Sequence, residues 1–312
     1  MKKMHLAVLT GEILEMLQVK KHGIYLDGTL GDGSHAEQIL SRMDPKGILV
    51  AFEQDKDSIS FAQKRLQPFK SQTKIFHDNF KNARKVLNKE KIGLLNGILL
   101  DLGISSRQLE NPERGFSFAS DAFLDMRMDQ RTKTTAFDLI NNSSENELIT
   151  IFKEFGEERW AKRIARAIIS RRKTRPIRTT GELSKLILSA VPAKSKKYKI
   201  HPATRVFQAL RIAVNNELEA LSTILDDGIE CLKPSGRFCV ISFHSLEDRL
   251  VKTRFRQLEK GCICPPDIPQ CVCGRKGVLK VITKKPIVPT EDEVKKNPRA
   301  RSAKLRVAEK IG

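Results

Sequence analysis

The sequence predicts an α/β fold, a mostly parallel and doubly wound sheet interrupted by a helical insertion, and three observations carry that expectation. The N-terminal third alternates short β-rich runs with helical patterns, the mark of βαβ units. After Asp101 the alternation stops, and residues 107–205 show helical periodicity without a convincing strand. Strand character then returns at 236–242. A chain of 312 residues, 40% of them hydrophobic, is long enough to bury a large core and to carry a smaller second unit.

Strands are expected at 24–27, 48–53, 74–77 and 97–101, from their β-branched and apolar runs. Between them, helices are expected from Ser34 to a stop before Pro45, from Asp57 through Leu66 before Pro68, and from Lys81 to Asn88. Within the insertion, Trp160, Ile164, Ala167 and Ile168 mark one helical face, and Arg159, Lys162, Arg163 and Arg166 occupy the others. A flexible tract at 193–202 leads into one long helix, opened by Pro202, with Val206, Leu210, Val214, Leu218, Leu221 and Leu225 as its buried stripe. A strand at 236–242, a helix from about Glu247 and a closing pair of strands at 279–283 and 303–307 complete the chain. The expected division is a discontinuous core, 1–106 with 212–312, and an inserted helical domain, 107–211.

The net charge of +20 points to a polyanionic partner, nucleic acid or an anionic membrane. Its distribution is more telling. Between Arg159 and Arg211 stand sixteen Lys or Arg and a single acid, Glu182. Such a run is either a solvated face or a polyanion-binding surface, and its segregation favours binding. The opening, Met1 to Leu9, has too short an apolar run for a secretory signal, and no later stretch could span a bilayer, so a cytoplasmic protein with no membrane partner is expected.

A strand ending in Asp27, a turn containing Gly28, Gly31 and Gly33, and a helix beginning near Ser34 bring backbone amides against a ligand without Cβ interference. The glycine spacing is not the G-x-G-x-x-G of dinucleotide folds, which favours S-adenosylmethionine over a nicotinamide. Glu53, at the end of the second strand, can accept both ribose hydroxyls, with Asp55 as the alternative. Asp78 and Phe80 follow the third strand, where they could meet adenine. A ligand-free β-to-α turn is the plainer alternative. The fourth strand delivers Asp101 to its carboxyl end, where open α/β sheets bind ligands. Methyl transfer to an amino nitrogen needs in-line positioning and an acceptor for the developing charge, and Asp101 suits both unless it merely caps the next turn. No cysteine motif of the kind a covalent pyrimidine mechanism demands follows a strand.

At these residues the sequence resembles the MraW family, also called RsmH, of bacterial small-subunit ribosomal RNA cytosine-N4 methyltransferases. The likeness runs nearly end to end. It is carried by DGTLGDGSH at 27–35, GILLDLGISSRQLE at 97–110, RGFSFASDAFLDMRMD at 114–129, HPATRVFQALRIAVNNEL at 201–218, ISFHSLEDRLVK at 241–252 and NPRARSAKLRVAE at 297–309. The resemblance implies a class I methyltransferase core, Rossmann-like, with a helical substrate domain inserted after the fourth strand. It places cofactor contacts at Gly33, Ser34, His35, Glu53, Phe80, Asp101 and Gln108, with Asp101 also the catalytic candidate. Ser34 stands where the family commonly has glycine, and Glu53 where it commonly has aspartate. The implied partner is 16S ribosomal RNA or the small ribosomal subunit, with a homodimer left open as the assembly.

Three further groups stay open. The segments 114–118 and 124–129 combine aromatics, arginines and carboxylates that could stack on a base or simply pack. His244 follows the fifth strand and could touch substrate or serve structure. Cys262-x-Cys264 and Cys271-x-Cys273, six residues apart around Pro265, Pro266 and Pro269, could hold a structural zinc or remain reduced thiols. No metal is expected in the methyl-transfer site.

Overall fold

The computed structural model describes residues 7–192, 201–264, 270 and 272–312. The tract at 193–200, residues 1–6, residues 265–269 and Cys271 lie outside the described residues.

The chain opens with α1 (Thr10–Leu17), whose Ile13, Leu14 and Leu17 are buried at helical spacing, an element the sequence reading passes over. The strands then follow in turn: β1 (Ile24–Asp27), β2 (Ile48–Glu53), β3 (Thr73–His77) and β4 (Leu95–Asp101), separated by α2 (Ser34–Leu40), α3 (Lys56–Arg65) and α4 (Ala83–Lys89). Next come α5 (Ser106–Glu110), α6 (Ala136–Asn142), α7 (Glu145–Glu154), α8 (Ala161–Arg172), α9 (Thr180–Ala190) and α10 (Ala203–Asn215). The last part holds α11 (Glu217–Cys231), β5 (Leu232–Ser242), α12 (Ser245–Lys260), β6 (Leu279–Val281), α13 (Glu291–Lys296) and β7 (Lys304–Lys310). Two compact units result, Met1–Gly103 with Leu218–Gly312, and Ile104–Glu217.

The first unit holds a seven-stranded sheet of order β3-β2-β1-β4-β5-β7-β6. β1 to β5 are parallel, and β7 alone runs against its neighbours β5 and β6. Alternate strand residues face opposite sides of a sheet. Accordingly Leu26, Val50, Phe52, Ile98, Leu100, Phe238 and Val240 join one buried cluster, and Tyr25, Leu49, Ala51, Leu99, Cys239 and Ile241 join another. Burial of both faces is why these strands read as continuous apolar runs rather than alternating ones. The chain winds from β1 outward to β3, then crosses back to β4, so the β1/β4 junction is the topological switch point, where such sheets open a crevice.

The second unit has its own core, with Phe152, Ile164, Ile168, Leu183, Ile187, Val206 and Leu210 fully or nearly buried. On α8 the buried face is Ala161, Ile164, Ala165 and Ile168. The expected face thus turns slightly: Trp160 stands at the N-cap and Ala167 is half-buried. The single long helix expected after Pro202 is two helices, because Asn216 adopts φ 49° and ends α10. Asparagine tolerates this left-handed conformation, and the apolar stripe continues past it, so periodicity alone hides the break. No helix among the described residues is long and apolar enough to cross a membrane.

Candidate active site

The loop after β1 is tied to both neighbouring strands. Gly28 N–H donates to Leu99 O (2.9 Å) on β4, and Leu30 N–H donates to Phe52 O (3.0 Å) on β2. Gly31 N–H donates to Glu53 Oε2 (2.8 Å), and Asp101 N–H donates to Thr29 Oγ1 (2.6 Å). The loop therefore lies across the carboxyl ends of β1, β2 and β4. Two of its glycines are required by backbone conformation, Gly31 at φ 54° and Gly33 at φ 84°. Gly28 is required by space: a Cβ there would stand 2.4 Å from Leu100 Cδ2 and 3.1 Å from Phe80 Cβ.

Ser34 fits this loop through Asp32. Its amide and hydroxyl both donate to Asp32 Oδ1, at 3.1 and 2.7 Å, and Arg65 pairs with Asp32 and Glu37 at 3.2 and 3.1 Å. The serine hydroxyl is thus absorbed by the turn, and Gly33 carries the left-handed conformation.

Glu53 accepts from three backbone amides, Gly31 through Oε2 and Gln54 and Asp55 through Oε1, each at 2.8 Å. Burial pushes its carboxyl up to about 7, although the amides of Asp55, Gly31 and Gln54 favour the charged form. Asp55, the alternative ribose acceptor, is the N-cap of α3, accepting from Asp57 N–H at 3.0 Å. Asp78 accepts from Asn79 N–H and Asn82 Nδ2 through Oδ1. Phe80 is buried in the core, with its Cβ beside Gly28.

Three ionisable side chains converge at the switch point. His35 Nε2 lies 3.5 Å from Asp101 Oδ2, and both Asp27 and His35 are buried. Asp27 Oδ1 accepts from Thr29 N–H (3.0 Å). Its Oδ2 and Asp101 Oδ1 are buried without a hydrogen-bond partner, beside the His35 imidazole. Buried polar atoms are normally satisfied, so two orphaned carboxylate oxygens in one crevice mark the place of a polar ligand. Burial pushes Asp27 up to about 6, with the His35 charge and the Thr29 amide acting the other way. Burial also disfavours the His35 imidazolium, but the hydrogen bond and charge of Asp101, with the charges of Asp27 and Asp32, outweigh it and leave its pKa above the usual histidine value. Asp27 and Thr29 are functional candidates the sequence reading did not single out; the signal was an aspartate ending the first strand.

Of the expected site residues, the first unit brings together Gly33, Ser34, His35, Glu53, Phe80 and Asp101. Gln108 belongs to the second unit, buried on α5, where its side chain accepts from Ser105 N–H (3.0 Å) and completes a capping box. In the same unit, Arg114 donates to the carbonyls of Arg127 and Met128, and Arg127 forms a two-pronged bridge to Asp125 at 2.7 and 2.8 Å. Leu124, Met126 and Met128 are core. These segments are packed and internally paired, which favours the packing alternative. His244 caps α12, accepting from Glu247 N–H at 3.4 Å, with Nε2 3.1 Å from Glu247 Oε1.

Comparison with known proteins places these residues in a wider set. Residues 2–311 match the family described as the MraW methylase family. The chain is 53% identical to Ribosomal RNA small subunit methyltransferase H of Carboxydothermus hydrogenoformans and 50% identical to that of Halothermothrix orenii, each over 98% of both chains. The protein of the same name from Clostridioides difficile is 47% identical over 98% of this chain and 99% of its own.

Proposed function

The chain belongs to the MraW methylase family, and from that premise we propose that it methylates the exocyclic N4 of a cytidine in the decoding region of small-subunit ribosomal RNA. It is an S-adenosylmethionine-dependent ribosomal RNA methyltransferase with a class I fold. The observation that carries the reading is the pair of buried, unpartnered oxygens of Asp27 and Asp101, beside His35 and the glycine loop at the switch point.

These residues fit S-adenosylmethionine. Asp27, beside Asp101, would hold its ammonium group, the glycine loop would admit its backbone-close contacts, Glu53 would accept the ribose hydroxyls, and Phe80 would offer an apolar wall for adenine. When bound, the cofactor supplies an electrophilic methyl on a positively charged sulfur. The chain's part is to position and to hold charge. Asp101 accepts a hydrogen bond from the attacking amino group, which increases electron density on nitrogen as the bond forms and takes up its developing positive charge. His35, 3.5 Å away, fixes the rotamer of that carboxylate.

The RNA surface is read from α8, where Lys162, Arg163 and Arg166 are exposed, followed by exposed Lys173. Within the basic run Arg171-Arg172-Lys173, Arg172 is engaged by the fold, donating to Ile140 O at 2.8 Å, so Lys173 is the better probe. Incubation with labelled cofactor and either 16S RNA or 30S particles, followed by nucleoside analysis, should yield N4-methylcytidine from one of them. Label on a different atom, or in neither substrate, would refute the proposal.

A further inference from the structure

We propose that Cys262, Cys264 and Cys273 bind a zinc ion through their thiolates, forming a structural metal site apart from the methyl-transfer crevice. The Sγ atoms of these three cysteines all lie within 4.8 Å of one another, and those of Cys262 and Cys273 are 3.8 Å apart. A tetrahedron built on Zn–S bonds of about 2.3 Å has an edge of about 3.8 Å. The spacing therefore matches two corners of a zinc thiolate site.

The direction of the side chains is the second argument. In a locally extended C-x-C, residues i and i+2 share a face and the middle residue points away. Ile263 is 63% exposed and Val272, which precedes Cys273, is 78% exposed, while the thiols are half-buried and converge. Apolar side chains face water and the polarisable ones face inward, the reverse of what a hydrophobic loop would choose. A ligand held by the thiols accounts for that inversion.

The third argument is the neck of the loop. Val278 N–H donates to Leu258 O (2.9 Å), closing the segment at its base. A Cβ on Gly261 would stand 2.2 Å from the Lys276 carbonyl carbon, and one on Gly277 would stand 2.1 Å from Glu259 O. Gly261 (φ 68°) and Gly274 (φ 62°) turn the two limbs. Glycines thus let the limbs touch backbone to backbone and aim the cysteines at one point. A metal bound by several thiolates supplies a cross-link between the two limbs. The contrast with the other described cysteines is sharp: Cys239 is fully buried in β5, where burial pushes its thiol up, and Cys231 is likewise raised by burial. Cys271 lies outside the described residues and forms no part of the assignment.

Full-length protein purified under reducing conditions and reconstituted with Zn²⁺ should retain, after desalting, about one zinc per chain by mass spectrometry of the metal, as a thiolate-held structural site predicts. X-ray absorption should report at least three sulfur neighbours. The variants Cys262→Ser, Cys264→Ser and Cys273→Ser should each lose most of the metal, whereas Cys231→Ser should keep it. Stripping zinc from the unmodified protein should speed protease cleavage between Gly261 and Gly277 while leaving S-adenosylmethionine affinity in place. That comparison needs no substitution and so does not depend on the variants folding. The proposal fails if reconstituted protein holds no zinc, if the triple serine variant binds as much as the parent, or if fewer than three sulfurs surround the metal.

Discussion

Asp101 combines three properties that few residues in the chain share: an amide held by Thr29, one oxygen facing His35, and one buried oxygen without a partner. If it accepts the amino hydrogen of the substrate, Asp101→Asn should lower turnover roughly 100-fold or more, since removing such a group typically costs that much. Labelled-methyl kinetics check this, and intact turnover with unchanged cofactor affinity would exclude the role. Asp27 makes a second prediction, through pH. Its carboxyl is raised by burial to about 6 in the folded protein, above its unfolded value, so the folded state holds a proton that the unfolded chain has released. The stability this confers is fully present below about pH 4, and is lost as pH rises through about 6. Relative to the parent, Asp27→Asn should therefore be more stable at pH 7 than at pH 4, by an amount on the order of 3 kcal/mol. Thermal unfolding of both proteins without cofactor across that window measures the difference. Equal pH dependence would show that Asp27 titrates normally.

At the scale of elements, the cofactor loop and the start of α2 work through Gly33. At φ 84° it strains any residue with a side chain, and a Cβ would touch Ala62 at 3.4 Å. Gly33→Ala should cost about 1–2 kcal/mol of stability and weaken cofactor binding, whereas Ser34→Gly should change affinity less than about threefold, because only the bond to Asp32 is lost. Calorimetric titration distinguishes the two. At the other turn, His244 is the N-cap of α12. His244→Ala should lose about 1 kcal/mol, and His244→Asn, a good cap, should recover most of it; a turnover defect that asparagine does not rescue would instead point to substrate contact. The limits of β1 and β2 were legible to the residue, since apolar runs between glycine turns mark strands buried on both faces. The end of α10 at Asn216 was not, because the apolar spacing runs straight through it. The first helix was passed over although Ile13, Leu14 and Leu17 have the spacing that would have found it.

For the molecule as a whole, the charge distribution sets the expectation: sixteen basic residues against one acid between Arg159 and Arg211, all inside the second unit. RNA affinity should fall steeply with salt, and replacing Lys162, Arg163 and Lys173 by glutamine should reduce the log–log salt slope by about 0.7–0.9 for each phosphate contact removed. Cofactor affinity should be unchanged. A slope identical to that of the parent would move the RNA surface elsewhere. Local pattern and composition encode the order of the strands, the glycine loop, Asp101 at a strand end, the concentration of basic charge, and the motif blocks that name the family. Which of these groups meet is set by folding. Asp27, His35 and Asp101 come from two strands and a helix, and their shifted acidities arise from burial and from distances that spacing along the chain does not contain. The same holds for what the fold consumes. Arg114 and Arg172 look like nucleic-acid contacts in the sequence, yet carbonyls brought near by packing engage them. A side chain's chemistry is written locally, but whether it is free to act depends on the neighbours that folding supplies.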